Sequence, residues 1–213
     1  MIPSPRRIIA VAVTDVRARL RRPASAWLLA ALALSAYFMI PPPSSGHGLF
    51  VIDGARARYT SESLAVATAT LLPFFLGLFG FYVISRGVGL DVRTRVGPLV
   101  TATPLRAAEY LLGKLLGSSL ILGAVTAGFL FCIMGMHLVR GEGPLFPQVY
   151  VAHHLVIALP CILGVAAFAL LFETTPGLGG RAGDVLYFLA WMITLPLAAG
   201  LGEKGPSDHP GWG

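Results

Sequence analysis

Few residues in this chain have types and spacings that could do chemistry, and most fall short of a working set. A P-loop needs Gly-x-x-x-x-Gly-Lys-Ser/Thr, so that backbone amides cradle phosphate and the hydroxyl reaches magnesium. Gly113-Lys114 comes nearest, but Ala108 stands at the first glycine position and Leu115 follows the lysine. Gly177-Leu-Gly-Gly180 is glycine-rich but follows a helix-like run, so it reads as a tight turn. His137, His153 and His154 are the histidines in or at the ends of the apolar runs. Adjacent residues on a helix point about 100° apart, so His153 and His154 cannot easily share one ion. No Cys or carboxylate stands beside them at ligand spacing, and hydrogen bonding between helices is the expected role. No Gly-x-Ser-x-Gly elbow or His-Glu-x-x-His pair occurs. No catalytic, cofactor-binding or metal residues are therefore expected.

The remaining candidates lie in a basic break between two oily runs, Arg86 to Arg106. Gly97-Pro98 and Thr103-Pro104 punctuate it, and Val96, Leu99, Val100 and Leu105 alternate with the charges. This pattern fits a short amphipathic piece at a membrane surface, able to pass force to a soluble partner. Thr103 as N-cap and Pro104 at the first helical position would then start the next helix, with Glu109 near its positive end.

Composition sets the surroundings of that segment. The chain of 213 residues is 55% hydrophobic and 12% charged. A soluble domain averages roughly 25% charged, so an all-α polytopic membrane protein is expected. The net charge of +6 arises from Arg clustered beside apolar runs. Topology and anionic headgroups account for it, and no nucleic-acid partner is expected. Cys132 and Cys161 sit inside apolar runs as small hydrophobes. The first apolar run reads as a retained anchor and not as a cleaved leader.

The elements follow from periodicity and length. Residues 1–23 form a cytoplasmic basic amphipathic helix, with Ile9, Val13, Val16 and Leu20 on one face and Arg7, Thr14, Arg17 and Arg21 mostly on the other. The transmembrane domain is 24–201, with about five spans near 24–40, 63–85, 110–138, 148–172 and 184–201. An outer loop covers 41–62, where Leu49-Phe-Val-Ile-Asp-Gly suits a small turn or hairpin. The cytoplasmic segment is 86–106, and a polar outer tail covers 202–213. Most of the sixteen Lys and Arg then fall inside, and only Arg56, Arg58, Arg140 and Lys204 outside. Arg86, Glu109, Lys114, Glu173 and Asp184 all stand at span ends, where water or headgroups can reach them. None is at mid-bilayer, where ion-coupled transporters usually need one. A unit of this kind borrows its energy from a partner.

The string Arg93-Thr-Arg-Val-Gly-Pro-Leu-Val-Thr-Ala-Thr-Pro-Leu-Arg-Ala-Ala-Glu-Tyr-Leu-Leu-Gly-Lys114 resembles the cytoplasmic segment of ABC-2-type permeases. These are the membrane subunits of ATP-binding-cassette exporters. The resemblance implies a coupling helix that docks on a separate ABC ATPase subunit, matched here by Asp91, Arg93, Arg95, Val96, Gly97, Pro98, Leu99 and Val100, continuing to Thr103 and Pro104. It implies a second permease unit, surrounding membrane lipids, and ATP and Mg held by the partner ATPase and not by this chain. It also implies a multi-pass protein of a bacterial inner (plasma) membrane with a cytoplasmic N-terminus. Six spans are expected for a complete unit, so a further span would follow Gly213 or the chain is a fragment. A non-transporting membrane anchoring protein and, with less support, an intramembrane enzyme remain the alternatives.

Overall fold

The computed structural model describes residues 4–20, 31, 34–42, 51–52, 55–85 and 105–203. Among these, three helices are long and apolar enough to cross a membrane: α2 (Ser61–Ile84), α3 (Ala107–Arg140) and α4 (Pro147–Thr174). They are preceded by α1 (Pro5–Leu20) and followed by α5 (Arg181–Glu203). A minimal ladder, β1 (Val51–Ile52) against β2 (Ala55–Arg56), lies in the expected outer loop. Of the expected span at 24–40, residues 34–39 are helical, and 24–30, 32 and 33 lie outside the described residues, as does the tail from 204.

The bundle holds together through interdigitated apolar side chains. Leu64, Leu72, Leu76 and Phe81 of α2, Leu122, Phe129 and Ile133 of α3, and Ala158, Ile162 and Val165 of α4 form one buried cluster. Small residues set the spacing: a side chain on Gly80 would come within 3.2 Å of Leu122. The outward faces stay apolar, with Phe131, Leu138, Val156 and Phe168 more than half exposed. An apolar exterior around an apolar interior is compatible with a lipid surround.

Helix starts are set by specific partners. Thr60 caps α2, accepting from the Ser63 amide while its own amide donates to Ser63 Oγ. The start of α3 corrects the expectation at Thr103-Pro104: Leu105 and Arg106 are not helical, and the helix begins at Ala107. Glu109 takes the Arg106 amide at 3.1 Å, so its side chain, and not Thr103, caps the first turn. The glycine-rich turn before α5 is as expected, with Gly177 and Gly180 at φ 86° and 79°, where a β-carbon is strained.

With 34 residues, α3 exceeds the roughly 20 needed to cross hydrocarbon by a wide margin. At one end Ser61 Oγ donates to Pro144 O and the Phe146 amide donates to Ser61 Oγ, which aligns α2 with the α3–α4 loop. At the other, Arg19 and Asp15 link Ile84 to Lys114. Residues 107–113 therefore extend past the end of α2.

Candidate functional site

The densest arrangement of charge among the described residues lies where α1 rests on the first turns of α3. Contact is close because Gly113 and Gly117 leave backbone bare at i, i+4 spacing. A β-carbon on Gly113 would stand 2.6 Å from Val11 Cβ and 3.0 Å from Ile8 O, and one on Gly117 would stand 3.2 Å from Ala12 O. The face of α1 that packs here carries Ala12 and Asp15, both buried. The expected apolar stripe of Ile9, Val13 and Leu20 faces outward and is exposed.

Two carboxylates tie the interface. Asp15 Oδ1 accepts from Lys114 Nζ at 2.7 Å, and Asp15 Oδ2 accepts from Arg19 Nε at 2.9 Å. The Asp15 and Lys114 side chains are each 6% exposed. Arg19 Nη1 then donates to the carbonyl of Ile84 at 2.7 Å, reaching the last turn of α2. At the other end of α1, Glu109 accepts from the Ser4 amide at 2.8 Å, the Arg106 amide at 3.1 Å and Arg7 Nη1 at 3.4 Å. Glu109 precedes the expected span of 110–138. The Ser4 and Arg106 amides, followed by Arg7, hold its carboxyl below the usual carboxylate range. Glu109 and Lys114 were expected to reach water, but α1 covers both, at 2% and 5% exposure.

Every polar partner already named in this interface is a charge or a backbone group. A shallow recess among Arg19, Lys114, Ser118 and Glu173 marks where α1, α2, α3 and α4 meet. The clamp touches both flanks of the expected coupling segment: Ile84 just before it and Arg106 just after. The segment residues Asp91, Arg93, Arg95, Val96, Gly97, Pro98, Leu99, Val100, Thr103 and Pro104 lie outside the described residues.

The described histidines, His137, His153 and His154, gather at the opposite end of the bundle. Gly143 O can only accept, so His137 Nε2 donates to it at 3.1 Å, and His137 Nδ1 lies 2.7 Å from the Tyr150 hydroxyl. His154 bridges helices, with Nδ1 donating to Tyr150 O at 2.9 Å and Nε2 lying 3.3 Å from Thr68 Oγ1 of α2. His153 turns back to Val149 O at 2.8 Å. Among the described residues no group of three or more metal-capable side chains converges.

Sequence reasoning passed over Asp15 and Gly117, and weighed Gly113 only as a P-loop glycine. Their signals were present: an acid within a basic helix, and a Gly-x-x-x-Gly at the head of a long apolar run. No protein-family model, curated protein or solved structure matches this chain.

Proposed function

We propose that this chain is the membrane-spanning permease subunit of an ABC-2-type, ATP-driven exporter. In this reading it forms a translocation route with a second permease unit and takes its energy from a separate ABC ATPase subunit that binds ATP and Mg. The observation that carries the reading is the clamp. One short helix grips the last turn of α2 through Ile84 and the first turns of α3 through Glu109 and Lys114. Residues 86–104 leave and rejoin the described structure at those two points. Force applied to that segment would reach both spans and α1 together, which a coupling element needs and a passive connector does not.

The rest of the proposal follows from charge and length. The Arg-rich N-terminus and residues 86–106 face the cytoplasm of a bacterial inner membrane. The outward face of α1, with Arg6 and Arg17 beside Ile9, Val13 and Leu20, lies against anionic headgroups. The segment 24–40 and α5 add two spans to α2, α3 and α4. A detergent pull-down of the tagged full chain from its native membrane tests the proposal. It is supported if a Walker-motif ATPase is the stoichiometric companion, and fails if the chain is retained with no ATPase.

A further inference from the structure

Midway along α2 the helix departs from α geometry. Pro73 lies inside it, and Leu76–Gly80 forms a π turn before α geometry resumes at Phe81. Proline supplies no amide hydrogen and crowds the preceding turn, and a π turn carries one residue more than its α counterpart. In an apolar setting the loosened carbonyls need outside donors. One comes from a neighbouring helix: the Tyr187 hydroxyl of α5 donates to Gly77 O. The Cys161 thiol of α4 lies 4.0 Å from Pro73 O, which also takes the Leu76 amide.

The α5 helix closes over the same turn. Trp191 fills the place of a Gly77 side chain, since a β-carbon there would meet Trp191 Nε1 at 3.0 Å. The Trp191 ring also lies 4.7 Å from the Phe74 ring. Tyr187 stacks on Phe81 at 3.7 Å and 5° between planes. The Tyr82 hydroxyl donates to Asp184 O at 2.9 Å. Directly after these residues comes Ile84, whose carbonyl receives Arg19 of the clamp.

We infer that α5 is a latch on a switchable π turn in α2. Docked, its Tyr187 hydroxyl and Trp191 ring hold the π form. Released, the turn closes to α geometry, rotating residues 81–84 by about 100° and advancing them about 1.5 Å relative to residues 61–75. That rotation takes Phe81 off Tyr187 and Ile84 O away from Arg19, so the state of α5 and the grip of α1 are linked through one turn. The inference needs no partner subunit and stands apart from the transport proposal.

Hydrogen exchange on the full chain alone in lipid nanodiscs tests it. Tyr187→Phe keeps the ring stack and removes only the hydroxyl. It should speed exchange of the amides at 77–85 by about fivefold, the equivalent of one typical hydrogen bond, and speed exchange in the last turn of α1 as well. Deleting the exposed Phe79 removes the extra residue and leaves a continuous α-helix. In that background Tyr187→Phe should change neither region. The inference is overturned if Tyr187→Phe alone leaves 77–85 unchanged, or if it acts equally with and without Phe79. It also fails if 77–85 loosens while α1 does not respond. If the deletion does not fold, Gly77→Ala, which pushes against Trp191, replaces it. Faster exchange at 77–85 and in α1 then supports the latch, and unchanged exchange refutes it.

Discussion

Replacing Asp15 by Asn keeps the size of the side chain and removes the charge that joins α1 to α3. Lys114 Nζ at 2.7 Å and Arg19 Nε at 2.9 Å then face a neutral amide. Removing one member of a buried pair costs about 3–5 kcal/mol, because the remaining charge is left in a poor medium. The lower figure applies here, since Arg19 keeps Ile84 O and Lys114 keeps a further interaction. At about 1.4 kcal/mol per tenfold, about 3 kcal/mol shifts the docking equilibrium of α1 roughly a hundredfold. The cost falls chiefly on docking, because α1 adds only Val16 against the apolar cluster that α2, α3 and α4 build among themselves. Hydrogen exchange across 5–20 in nanodiscs reads the effect directly. Adding Lys114→Met should restore most of the protection, since the uncompensated cation is gone. The reasoning is refuted if Asp15→Asn leaves α1 exchange within about twofold of the parent, or if the double variant is as loose as both single losses combined.

The other consequences are as direct. Gly113→Leu should release α1 while leaving α2–α4 helical by circular dichroism, because Val11 and the Ile8 carbonyl occupy the space its side chain needs. Glu109 has a lowered carboxyl, so its contribution to α1 docking is complete above the usual value of 4.5 and is lost as pH falls from there through the lowered value. The difference in α1 exchange between the parent chain and Glu109→Gln should therefore be constant near neutrality and vanish in that acid window. A difference that persists at the lowest pH would assign Glu109 a role without charge. In a background lacking Cys132 and Cys161, single Cys at Ser4, Thr94 or Gly179 should be shielded from an outside-only thiol reagent. Cys at Ser45 or Ser207 should react with it, and labelling at Thr94 would reverse the proposed orientation.

Apolar runs made the three long helices legible. The expected 63–85, 110–138 and 148–172 correspond to Ser61–Ile84, Ala107–Arg140 and Pro147–Thr174, because length and hydropathy alone decide whether a segment suits a bilayer. The site was less legible because it depends on contacts between distant elements. Glu109 and Lys114 look like span-end charges until α1, nearly a hundred residues away in sequence from Lys114, covers them. Thr103-Pro104 carries a stronger local helix-start signal than Arg106, yet a side-chain carboxylate three residues into α3 decides the boundary. The π turn has only Pro73, Gly77 and Gly80 as hints, and its carbonyl partner Tyr187 lies on the far side of two helices.

The proposal turns on Asp91–Val100, continuing to Pro104, coupling a separate ATPase to the spans, and Leu99→Asp tests it most directly. Central apolar anchors at an interface cost about 2 kcal/mol or more when lost, whereas rim charges chiefly tune association. Substrate-stimulated ATP hydrolysis by the reconstituted complex should therefore collapse in Leu99→Asp, weaken in a salt-sensitive way in Arg93→Ala, and remain intact in the outer-loop control Arg58→Ala. Full ATPase retention and full coupled hydrolysis in Leu99→Asp would contradict the claim and leave the segment as a topological connector.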